Sequence, residues 1–311
     1  MVARLGFFGQ KASEVTSDIT SKTTGGGFEF TEDQKMKARI PFSELRSGGP
    51  PKDGIPSIDN PKFTSVSEAD KFLSGDDPVL GLDYKGVQRA YPHRIMNRHE
   101  IVNDTIVGDP VLITYCPLCF TGIAYESKID GMPTTFGVSG KLYKSNLVMY
   151  DRSTETLWNQ LGGEAIIGEH LGKKLKQVPL ETVLWRDWKA KHPQTEVLSQ
   201  DTGSPRNYDQ NPYEGYEQDR DTFGTEFEDD RLHPKAKIWA IELDGKFKAY
   251  SDEALSRGGN LNDSFAGKNL KISRNRDGAV TIKDESGKDL VPTISFWFAW
   301  AAFHPETELY K

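Results

Sequence analysis

Cys116 and Cys119 are the only cysteines in 311 residues, and they stand in a Cys-Pro-Leu-Cys motif. Two thiols three positions apart can close a local disulfide, exchange electrons as a dithiol, or supply half of a metal site. Two cysteines exclude a disulfide framework and a self-contained four-cysteine zinc site. His99 and Glu100 stand seventeen and sixteen residues before Cys116. Two thiolates and an imidazole suit zinc, leaving a fourth position for water, and they suit copper equally. Glu100 is then the candidate acid/base group. Met149 is a possible thioether ligand, and His304 a weak imidazole candidate. Tyr143, Asn146, Asp151 and Arg152 are candidate pocket residues, the last two reading better as a local pair.

These residues need a scaffold, and the sequence carries an internal match. Residues 79–108 align without gaps on 238–267, with 7 identities in 30 pairs. Ala90-Tyr91 faces Ala249-Tyr250, and Asn103-Asp104 faces Asn262-Asp263. A second match sets Trp185-x-x-Trp188-x-Ala190-x-His192-Pro193-x-Thr195-Glu196 against Trp297-x-x-Trp300-x-Ala302-x-His304-Pro305-x-Thr307-Glu308, with 7 identities in 12 pairs. The two offsets are 159 and 112, so the first segment holds 47 extra residues between about 109 and 184. The comparison serves as an internal control. Opposite His99, Cys116 and Cys119 stand Gly258, Asn275 and Gly278, so the three candidate ligands are missing together. His192 and His304 occupy equivalent places, which favours a structural role for both.

Each segment reads as hairpins around Lys85-Gly86 or Asp244-Gly245, a short helix, further alternating strands, and a tryptophan-bearing helix stopped by His-Pro. The expected fold is α+β, rich in antiparallel strands, internally duplicated into two related units packed together. Boundaries are a polar, loosely ordered arm over 1–48, a site-bearing unit over 49–200, and a linker with a second unit lacking the motif over 201–311. Within 201–234 the tyrosines Tyr208, Tyr213 and Tyr216 read as part of a solvated loop. His93, His170 and His233 read as surface residues. The Cys-Pro-Leu-Cys segment is expected to turn a hairpin, as in rubredoxin-like knuckles, although Phe120 stands where those have glycine.

The composition is 36% hydrophobic, with a formal charge of −7 from 39 Lys+Arg and 46 Asp+Glu. No basic stripe stands out, so a nucleic-acid partner is not expected. No apolar run reaches the ~20 residues of a transmembrane segment. The patch Leu5-Gly6-Phe7-Phe8 is too short for the core of a signal peptide.

Ile101-Val102-Asn103-Asp104 leading into Thr114-Tyr115-Cys116-Pro117-Leu118-Cys119 resembles the domain of unknown function 3179 family of bacteria and archaea. So do Phe136-Gly137-Val138-Ser139-Gly140, Met149-Tyr150-Asp151-Arg152, Asp201-Thr202-Gly203 and Phe296-Trp297-Phe298-Ala299-Trp300. The resemblance covers about residues 50–311 and implies no activity. It implies an extracytoplasmic setting, periplasmic or cell-surface, in which copper or an oxidised cysteine pair can persist.

Three functions follow as expectations. The first is a metal-binding protein, with a metalloenzyme as its stronger form, holding copper or zinc on Cys116, Cys119 and His99. The second is a thiol–disulfide oxidoreductase with a depressed thiol pKa. The third is a non-enzymatic binding module with a structural cysteine pair. The partner is expected to be a small molecule or metal ion; the sequence points to no protein partner.

Overall fold

The computed structural model describes residues 38–223, 227–256, 259–275 and 279–311. Residues 1–37 of the N-terminal arm, Gly258 opposite His99, and Gly278 opposite Cys119 lie outside the described residues. The chain is 43% strand and 12% helix, and five small sheets form a propeller-like arrangement of blades. This overturns the α+β expectation of two packed duplicated units. The physical reason is helix length. The helices run four to seven residues, from Val66–Ala69 to Trp297–Phe303, one to two turns each. Such helices connect strands but cannot present a stripe wide enough to make a layer.

One blade is built on the hairpin Pro78–Tyr84 and Val87–Pro92, flanked by Glu181–Leu184 and the parallel strand Glu196–Leu198. A second has the same order in Thr293–Phe296, Lys237–Leu243, Lys246–Ser251 and Glu308–Tyr310. The cysteine blade orders Gln177–Val178, Thr121–Glu126, Asp109–Cys116 and Ile101–Ile106. Another contains Asn260–Phe265, Lys268–Arg274, Val280–Asp284 and Asp289–Leu290. The fifth carries Phe136–Tyr143 and Asn146–Asp151 at its centre, with Leu45–Ser47 pairing along one edge. The matched sequence segments thus fall on blades of one ring.

What the matched segments share is structural. Tyr91 Oη donates to Asp104 at 2.6 Å, and Tyr250 Oη to Asp263 at 2.8 Å. Arg89 pairs with Asp104 where Lys248 pairs with Asp263. Trp188 Nε1 reaches Thr195 Oγ1 at 3.0 Å, and Trp300 Nε1 reaches Thr307 Oγ1 at 3.1 Å. His192 and His304 cap the two tryptophan helices, each ring packed on the preceding indole.

Trp188 also explains a glycine inside a strand. A Cβ added at Gly81 would overlap the six-membered ring of the indole. Gly81→Ala is expected to cost about 1–3 kcal/mol by overpacking. A urea denaturation midpoint unchanged from wild type would contradict that close approach.

Candidate functional site

The expected hairpin is present at the motif. Asp109–Cys116 and Thr121–Glu126 pair antiparallel with Cys116 opposite Thr121, so residues 117–120 form the turn. Cys119 N–H donates to Cys116 O at 3.1 Å. The turn brings the two sulfurs to 3.0 Å, and both cysteines are buried and free. Phe120 takes φ 56°, the left-handed region usually left to glycine. Its ring packs against His93, Tyr115 and Phe296.

A second turn meets the sulfurs from the neighbouring blade. Lys144 and Ser145 join two strands with φ 52° and 58°. Hairpins at Lys85-Gly86, Val107-Gly108, Asp130-Gly131, Asp244-Gly245 and Ala266-Gly267 place glycine second in such a turn, and this one does not. Two non-glycine residues in left-handed backbone store strain, a frequent mark of a functional position. The turn delivers Ser145 O to 3.3 Å from Cys119 Sγ, where the thiol donates to it. Asn146 Nδ2 approaches the same sulfur at 3.5 Å and donates to Gln160 Oε1 at 2.8 Å. Gln160 in turn donates to Thr114 Oγ1 and Thr121 O, which anchors the strands on both sides of the motif.

Residues 201–223 cross this region as a strap that is mostly exposed, as expected of a solvated loop, but anchored by the buried Tyr208 and Thr222. Tyr208 is buried and its hydroxyl meets His99 Nε2 at 2.7 Å. Ser145 Oγ donates to Thr222 O at 2.5 Å. Tyr213 and Tyr216 are half-buried, and burial raises both hydroxyl pKa values, with the nearby thiols and, for Tyr213, Glu100 adding to the effect. Tyr115 is buried and shifted upward by desolvation first and then by Cys116.

The candidate ligands have different fates. His99 Nδ1 lies 2.6 Å from Pro56 O, which can only accept, so Nδ1 carries the proton. Nε2 then accepts from Tyr208, and both ring nitrogens are engaged away from the sulfurs. Met149 is buried in the core cluster that also contains both cysteines. His304 stacks on Phe247 and Trp300, and burial lowers its pKa to about 4. Among the described residues no group of three or more His, Cys, Asp or Glu side chains is placed to hold a metal ion. The sulfurs also sit closer than the ~3.8 Å that tetrahedral zinc would set with ~2.3 Å bonds. The residues present therefore do not fit the Cys2His site. Asp151 and Arg152 do not pair with each other: Asp151 accepts from Trp158 Nε1, and Arg152 meets Asp59.

Glu100 remains at the site. Its backbone faces Tyr115, whose N–H donates to Glu100 O at 2.7 Å, and its φ is 59°. It is buried, and desolvation raises its carboxyl to about 8. Burial also pushes the Cys119 thiol well above its ordinary value, with its neighbour Cys116 second. The depressed thiol expected of an exchange enzyme is not found at Cys119.

Sequence reasoning missed His93. It was read as a surface residue, yet it is buried, its ring lies 4.2 Å from that of Tyr115, and desolvation lowers its pKa to about 3. The available signal was its exchange for Asp252 in the matched segment. The model of the protein of unknown function (DUF3179) family matches residues 52–307, most of the chain. The chain belongs to the DUF3179 family. Within the family match lie the motif, His93, Glu100 and the whole strap. Comparison with curated proteins and with solved structures gave no significant match. Among the described residues no helix is long and apolar enough to cross a membrane.

Proposed function

We propose that Cys116 and Cys119 form a redox-active pair that cycles between dithiol and disulfide. The observation that carries this reading is the direct approach of the two sulfurs, 3.0 Å apart at the ends of one turn. The thiols face a carbonyl and an amide and belong to a core cluster rich in aromatic rings. Burial holds the Cys119 thiol in its protonated form, so the pair is not an exposed attacking thiolate. Glu100 lies within electrostatic reach of Cys119. The extracytoplasmic setting implied by family resemblance would let the oxidised form persist.

Mild diamide oxidation followed by alkylation and intact mass tests the pair. The native protein is expected to lose two hydrogens and both alkylation sites together. Cys116→Ser and Cys119→Ser are each expected to abolish the loss. Independent alkylation of both cysteines in folded protein after oxidation would contradict the proposal.

A further inference from the structure

Cys116 and Cys119 are 1% and 0% exposed, so a reagent reaches neither sulfur until part of the fold moves. The strap over 201–223 is the neighbouring segment least tied to the blades. Among the described residues it joins no sheet, and its regular structure is the single turn Tyr216–Gln218. Most of its residues are exposed. A segment with few buried contacts and no ladder opens locally at lower free energy than global unfolding. Gly203 and Gly215 take φ 77° and 79°, with open space where a side chain would stand, which suits them as pivots.

The strap meets the sulfurs through Ser145 and Tyr216. Ser145 O lies 3.3 Å from Cys119 Sγ and 3.9 Å from Cys116 Sγ, and Ser145 Oγ donates to Thr222 O at 2.5 Å. Tyr216 packs against the core cluster that holds both cysteines, and the two thiols add to the upward shift of its hydroxyl. Tyr216 Oη is enclosed there and makes no hydrogen bond among the described residues. An unsatisfied buried hydroxyl disfavours the closed strap, and lifting returns it to water. Tyr208 opposes this. Its hydroxyl is held between His99 Nε2 at 2.7 Å and Thr202 Oγ1 at 2.6 Å.

We infer that the strap is a lid over the Cys116–Cys119 pair, latched by Tyr208 on His99 and lifting without unfolding of the blades to expose the thiols. The lid goes beyond the redox reading and does not need it; where the pair cycles, lifting sets when it meets its reaction partner.

For the test, fully reduced full-length protein is alkylated with N-ethylmaleimide across a urea series below the unfolding transition and weighed. Alkylation adds each thiol to a maleimide double bond and makes no disulfide, so the outcome is separate from the redox reading. Both cysteines are expected to alkylate with a urea slope less than about half that of global unfolding, because lifting exposes little surface. Tyr208→Phe keeps the ring and loses the latch. It is expected to speed alkylation without urea roughly fivefold, the effect of one hydrogen bond. Asp263→Ala weakens a pair of blades through Lys248 and Tyr250 and should leave that rate within about twofold of wild type, as expected of local opening. Alkylation with the full urea slope of global unfolding would overturn the lid. So would a Tyr208→Phe rate equal to wild type, or an Asp263→Ala variant that speeds up as far as its stability falls.

Discussion

Asp104→Ala is expected to lower the stability of the fold by about 3–5 kcal/mol, the usual result of leaving a buried charge uncompensated. The Asp104 side chain is 3% exposed and takes Arg89 Nη1 on both oxygens, at 2.6 and 2.7 Å. It also accepts from Tyr91 Oη, which is fully buried. Truncation leaves a guanidinium and a phenol without this partner in the blade that sits beside the motif. Arg89 keeps Glu196 at 3.0 Å, but that carboxylate is half exposed and contributes little. The chain provides its own comparison. Asp263 holds Lys248 and Tyr250 across the matched pair of blades with more exposure, so Asp263→Ala is expected to cost less. Urea unfolding of both variants checks the order. Equal losses would contradict the argument from burial.

The second large effect concerns pH. Glu100 keeps its proton in the native state up to about 8, while an unfolded chain releases it near 4.5. Between those values the native state binds more protons than the unfolded one. Stability from this group is therefore complete below pH 4.5, falls as pH rises, and is lost above about pH 8. At 1.36 kcal/mol per pKa unit the full effect is on the order of 5 kcal/mol. Glu100→Gln keeps the shape and cannot ionise. The variant is expected to match wild type near pH 4 and to gain progressively, being more stable by several kcal/mol at pH 9. Stability curves that stay parallel across this range would show that Glu100 is solvated.

Much of this arrangement was legible in the sequence, and the omissions have physical causes. Alternation on both sides of Cys-Pro-Leu-Cys was sufficient to place the motif on a hairpin, since strand periodicity is local. Tyr91, Asp104, Trp188 and Thr195 all recur in the matched segments, and they form polar anchors, Tyr91 to Asp104 between two blades and Trp188 to Thr195 within one. The α+β expectation failed because helical spacing over seven residues looks the same whether or not a helical layer exists. Blade membership was not readable either: Gln177–Val178 joins Thr121–Glu126 across fifty residues, which no local pattern encodes. His99 illustrates the limit at the site. Its difference from the matched segment marked it as peculiar to one half, but its partner Tyr208 lies 109 positions away on a segment whose polar composition reads as solvated. The same strap supplies Tyr213 and Tyr216, so composition hid three site residues at once. His93 was overlooked because a single histidine beside proline carries no local sign of burial.

The central claim is that Cys116 and Cys119 act as one two-electron couple, and a redox titration tests it most directly. Protein equilibrated to completion in reduced and oxidised dithiothreitol mixtures is quenched in acid, alkylated and weighed. The account predicts a single transition between two states that differ by two alkyl groups, with no singly alkylated species. Its slope should be the ~30 mV per decade of a two-electron couple. Two cysteines that alkylate fully at every potential, or that titrate one at a time, would contradict it.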